Sequence, residues 1–125
     1  GGESKTWKLA RLTAKLFVSF TGSETLEKVT VTISAPPPFT VEQPTVVLSG
    51  VGGKGTPHTV PLSFALSSSA LPSDLTVTIS AHYSTTRGDP RSASTHFSLP
   101  LAMCGRVVAP LKNADYKFTL DTNRP

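Results

Sequence analysis

With 125 residues, 38% of them hydrophobic and 16% charged, the chain has the size and composition of one folded domain and not of a disordered tract. No apolar run is long enough to cross a bilayer as a helix, and the single cysteine, Cys104, excludes an intrachain disulfide. Twelve Lys and Arg against 8 Asp and Glu leave a net charge of +4, a mild excess that falls short of a nucleic-acid binder's basic stripe.

The opening Gly1-Gly2 reads as a cloning scar, and the chain looks like a domain cut from a longer protein. Residues 1–11 are expected to be linker with a possible first edge strand, residues 12–123 the domain, and residues 124–125 an exit linker. Lys5, Lys8, Arg11 and Lys15 cluster near the start around Trp7. The simpler reading is a solvated edge strand guarded by lysines, the alternative a patch for an acidic partner or a membrane surface. If the cluster makes contacts, Lys8, Arg11 and Lys15 are the candidate interaction residues. Arg11 and Lys15 share one strand parity.

Leu12–Phe20 then sets Leu12, Ala14, Leu16, Val18 and Phe20 in phase, the period of two that buries one face of a strand. Leu26–Ala35 repeats the pattern with Val29, Val31, Ile33 and Ala35, and Pro36-Pro37-Pro38 ends it because proline has no ladder donor. Thr45–Ser49 is short and apolar. Val60, Leu62, Phe64 and Leu66 alternate beyond a glycine-rich turn at Gly50–Pro57, and Pro61 there indicates an edge or a bulge.

Leu75–Ser84 is the clearest run, with Leu75, Val77, Ile79, Ala81 and Tyr83 on one face and Thr76, Thr78, Ser80, His82 and Ser84 on the other. Thr85–Arg91 reads as a loop. Phe97, Leu99 and Leu101 mark a sixth strand, and Tyr116, Phe118 and Leu120 a seventh. About seven short strands with turns between them predict an all-β fold, an immunoglobulin-like antiparallel β-sandwich without the Cys…Trp…Cys of antibody domains. The core expected is Val31, Ile33, Leu62, Phe64, Val77, Ile79, Phe97, Leu99, Phe118 and Leu120.

Gly50-Val51-Gly52-Gly53-Lys54-Gly55 matches G-x-G-x-x-G letter by letter. A phosphate site needs the glycines to open a helix, and Thr56-Pro57-His58-Thr59-Val60-Pro61 follows instead, so a flexible hairpin loop is the better reading. His58, His82, His96 and Cys104 are spread too widely for a structural zinc site. No Gly-x-Ser-x-Gly elbow occurs, and Cys104 between Met103 and Gly105 reads as a small buried hydrophobe. Neither an enzyme, nor a cofactor, nor a metal is expected. The lone cysteine and the lack of an Asn-x-Ser/Thr sequon favour an intracellular setting.

Several segments together resemble a known family. Val29–Ile33 and Pro36-Pro37-Pro38-Phe39, then Tyr83-Ser84, then Phe97-Ser98-Leu99-Pro100-Leu101 with Cys104, and lastly Lys117-Phe118-Thr119-Leu120-Asp121-Thr122-Asn123 follow one another as they do in the gamma-adaptin-ear-like (GAE) domain of the Bardet–Biedl syndrome nine protein, also called parathyroid hormone-responsive B-one. The resemblance runs from about Leu12 to Asn123, and the glycine-rich Gly50–Gly55 turn and a short Thr85–Arg91 loop depart from it. It implies a non-enzymatic domain of the BBSome, a coat-like cytoplasmic complex that carries membrane proteins to and from cilia. The domain would dock other BBSome subunits. An ear-type module that binds short peptides of cargo or accessory proteins is the alternative. The resemblance further implies a cytoplasmic and ciliary location (cilium membrane, centriolar satellites or basal body), no nucleic acid, only indirect membrane association, and no catalytic residues to carry over.

Overall fold

A computed structural model describes residues 12–52, 57–66, 74–104, 107–110 and 115–120. These residues form eleven strand segments in chain order: β1 (Leu12–Phe20), β2 (Thr25–Leu26), β3 (Val29–Ser34), β4 (Phe39–Val41), β5 (Thr45–Leu48), β6 (Val51–Gly52), β7 (His58–Leu66), β8 (Asp74–Ser84), β9 (Pro90–Cys104), β10 (Val107–Pro110) and β11 (Asp115–Leu120). One sheet has the order β11-β1-β7-β4 and the other β10-β9-β8-β3-β5, with β2 and β6 forming a small separate pair. The expected sandwich is present, and all seven predicted strands lie within it. The four additional segments are two to four residues long, too short for an alternating pattern to register in sequence.

Period-two patterning builds each sheet and its register. Leu12, Ala14 and Leu16 stand opposite Phe64, Leu62 and Val60, and Leu16, Val18 and Phe20 stand beside Tyr116, Phe118 and Leu120. In the second sheet Val29, Val31 and Ile33 oppose Tyr83, Ala81 and Ile79, while Val77 and Leu75 oppose Phe97 and Leu99. A slip of one residue would turn every one of these side chains to water, so the buried faces lock the pairing. The Phe20 and Tyr83 rings meet edge to face at 6.1 Å, tying one sheet to the other. Nine of the ten expected core residues are buried; Phe97 is only partly so and packs against the core from its border.

One strand pair departs from the antiparallel pattern: β1 runs parallel to β11. A parallel pair needs a long crossover, and here most of the chain between the first and last strands supplies it. Between Val31–Ile33 in one sheet and Phe39 in the other, Pro36-Pro37-Pro38 turns the corner, with a cis Pro37–Pro38 bond and the Pro36 carbonyl accepting from the Phe39 N–H at 3.1 Å. Pro61 of β7 sits past the point where the neighbouring β4 stops. The Ser63 carbonyl, on the β4 side, accepts from the Glu42 N–H at 2.9 Å, and Pro61 turns its nitrogen to that same side, past the last β4 pair at Val41–Phe64. The expectation of an edge is therefore met locally, on one flank of an otherwise interior strand.

Candidate interaction surface

The basic cluster is placed only at Lys15, since Lys8 and Arg11 lie outside the described residues. Lys15 is exposed and points away from the core, as its parity predicts. The edge-guard reading fails for it. β1 is an interior strand, paired with β7 on one flank and β11 on the other, because residues 115–120 return from the far end of the chain to cover it. Lys15 stands in register with exposed Asp115, an opposite charge on a neighbouring strand.

The glycine-rich turn is partly built into the fold. Val51 is buried and β6 pairs with β2, while residues 53–56 lie outside the described set. Gly50 has a φ of 72°, a conformation glycine adopts without strain, and its carbonyl meets His58 Nε2 at 3.1 Å. The chain continues into β7, so no helix follows to hold a phosphate. His82 and His96 are both exposed on the outer face, but their partners across the ladder are Ser92 and Thr78. His82 Nδ1 lies 3.0 Å from Ser92 Oγ. Among the described residues no group of three or more His, Cys, Asp or Glu could hold a metal. The Cys104 side chain falls outside them.

At one end of the sandwich the β8–β9 hairpin closes more tightly than the sequence indicated. Strand pairing extends to Ser84–Pro90 and Tyr83–Arg91, so the connection is residues 85–89 only. Gly88 has a φ of 83° and donates its N–H to the Thr85 carbonyl at 2.8 Å, and the Thr85 N–H bonds the Asp89 carbonyl at 3.1 Å. A glycine in that left-handed position is what a turn of this length needs. The Glu24 carboxylate fastens the loop by accepting from both the N–H and the hydroxyl of Thr86. Beside the hairpin lies an open groove of about 570 Å³, with Lys28, Thr30, His82, Arg91 and Ser92 in its lining. Its walls are polar and apolar in about equal measure and it stands open to solvent, unlike the enclosed and mostly apolar pockets that hold small molecules.

Among the described residues one aromatic stack bridges the lateral border of the two sheets. Tyr116 of β11 stacks on Phe97 of β9 with ring centroids 3.6 Å apart and planes at 14°. Its hydroxyl donates to the Ser98 carbonyl at 3.4 Å, and burial pushes the phenol up from its ordinary value. Sequence reasoning placed Phe97 and Tyr116 in strands but missed their meeting, because nothing local signals that two strands in different sheets share a border.

The arrangement is a sandwich whose described surface is one of strand edges, polar faces and a charged hairpin end. Comparison with known proteins points the same way. The family model for the PTHB1 GAE domain matches residues 10–97. Protein PTHB1 of Xenopus laevis is 32% identical over 106 residues, covering 81% of this chain and 12% of its own length. The chain thus spans about an eighth of that relative, by the 12% coverage. No solved structure matches. These matches point to an ear-type protein-interaction module, and this chain belongs to the PTHB1 GAE domain family.

Proposed function

We propose that the chain is a non-enzymatic scaffold domain that docks neighbouring subunits of the BBSome, the coat-like complex that traffics membrane proteins to and from cilia. The observation that carries this reading is the family match over residues 10–97. The physical character of the molecule is consistent with it: among the described residues the core is built from hydrophobic side chains, and no polar or charged residue is buried as a whole. Core residues here hold the sandwich, and binding falls to edges and faces.

On this reading the protein works in the cytoplasm and at the cilium, and meets membranes through its complex. Lys8, Arg11 and Lys15 are the proposed contacts for an acidic subunit surface, of which Lys15 is exposed. Exposed charges act mainly on association rate and salt dependence. The test is a pull-down from ciliated-cell extract with the tagged chain, read by mass spectrometry. Recovery of the other subunits, weakened by Lys8→Glu, Arg11→Glu and Lys15→Glu together at low salt, is expected. Recovery of cargo tails without subunits contradicts the scaffold role and favours peptide capture. A second reading, an ear-type module for short extended segments, is favoured by a stretch of β9 that no described strand covers.

A further inference from the structure

The edges of the two main sheets are not equivalent. β4 has three residues and follows three prolines, β5 has four and follows Pro44, and β10 has four and ends at Pro110. β11 is longer but carries exposed Asp115 and Lys117. Short length, proline and charge are the devices that keep an edge from pairing with another chain. Among the described residues β10 covers β9 only from Leu101 to Cys104, and no described strand pairs with that flank from Pro90 to Pro100. Between those prolines the sequence is Arg91-Ser92-Ala93-Ser94-Thr95-His96-Phe97-Ser98-Leu99, with no Lys, Asp or Glu.

The Tyr116–Ser98 bond shows which backbone groups face out. Tyr116 approaches from the other sheet's edge, so the Ser98 carbonyl points away from β8. Backbone groups alternate sides along a strand, and Ser92, Ser94 and His96 therefore present N–H and C=O to the open flank. Pro90 and Pro100 share that parity. Their missing N–H groups cost the β8–β9 ladder nothing, and they delimit the open stretch at both ends. On the inward face Arg91, Ala93 and Thr95 are partly exposed along the seam, and Arg91 Nε is buried without a hydrogen-bond partner. A buried unpaired donor on a cation is a costly state that an incoming carboxylate would relieve.

We propose that the β9 edge from Ser92 to His96 receives an extended segment of a partner protein by strand addition. Alternate side chains of that segment lie over Ala93 and Thr95 and are small and apolar; the one opposite Arg91 is acidic. The net charge of +4 and the unpaired Arg91 nitrogen favour an acidic segment over a second copy of this chain. This inference rests on the interaction-module reading and names the edge and the ligand chemistry.

The probes are acetyl-Thr-Val-Thr-Val-Thr-Glu-Thr-amide and the same residues in reverse order, which serve both strand directions. They are titrated into the chain by fluorescence anisotropy and by amide NMR. Saturable binding is expected, with the largest shifts at Ser92, Ser94 and His96. Ser94→Pro removes one outward N–H and leaves the β8 ladder whole, so affinity falls by about tenfold or more at an unchanged melting temperature. Should that variant unfold, Ser94→Lys supplies the same block as an edge guard. Arg91→Gln weakens binding several-fold, and replacing the peptide's Glu by Gln then has no further effect. Absence of binding by both peptides, or equal binding by Ser94→Pro, overturns the proposal. A concentration-dependent dimer abolished by Ser94→Pro overturns the choice of occupant in favour of a second copy. Peptide failure with subunits still recovered in the pull-down overturns this inference alone; loss of both overturns the wider reading as well.

Discussion

β8 and β9 are neighbours paired along eleven residues of each, yet only one of them belongs wholly to the core. The inward residues of β8, Leu75 to Tyr83, are 0–6% exposed. Of their register partners on β9, Leu99 is buried and Phe97, Thr95, Ala93 and Arg91 are half-buried. The difference does not come from the pleat, which both strands share. The flanks differ: β3 pairs with β8 at residues 78–83, whereas among the described residues β9 has its second flank covered only at residues 101–104. A strand paired on both sides stores stability, and a strand paired on one side keeps backbone groups available for another chain.

The comparison can be broken most sharply in the core. Ile79→Ala, at the fully buried centre of β8, should cost about 2–5 kcal/mol in denaturant unfolding, as large-to-small core changes do. Phe97→Ala on the partly exposed strand should cost less, about 1–2 kcal/mol, because less apolar surface is withdrawn from water. Equal losses would erase the distinction between the two strands.

Gly22→Ala tests the packing at the end of β1. A methyl group there would lie 2.5 Å from the Phe20 ring, which is itself buried against Tyr83. Overpacking of this kind should lower stability by about 1–3 kcal/mol. Thermal melts of Gly22→Ala beside Gly22→Ser should show loss in both.

Tyr116→Phe removes the hydroxyl that reaches β9 and keeps the stacked ring. A loss of about 0.5–1.5 kcal/mol is expected near neutral pH. The folded phenol's pKa is raised by burial, so its contribution is intact below the ordinary tyrosine range. Above about pH 10 the unfolded chain loses the proton first, and stability declines as pH rises through the folded value. Melting temperatures measured across that range should fall more steeply for the parent chain than for Tyr116→Phe.

Lys15→Glu should change stability least, within about 0.5 kcal/mol, since an exposed charge beside Asp115 adds little.

Much of this was legible in sequence because period-two patterning carries fold information locally. Leu12–Phe20 and Leu75–Ser84 needed no tertiary knowledge to orient. The first half of β9 was invisible for a physical reason: its inward residues Arg91, Ala93 and Thr95 are small or polar, so no apolar alternation announces a strand. The position of β1 in the middle of a sheet depends on pairing with residues 115–120, roughly a hundred positions away. The same holds for the candidate site. Lys15 could be assigned to a surface from parity alone, whereas the edge left open among the described residues follows from where the β10 pairing stops.

Native-state hydrogen exchange across β9 tests the account most directly. In the free chain the amides of Ala93, Thr95 and Phe97, turned toward β8, should exchange slowly, and those of Ser92, Ser94 and His96 quickly. Addition of the acidic extended peptide should slow the second set and leave the first unchanged. Uniform protection of all six in the free chain would mean that the edge is already covered, and would contradict the account.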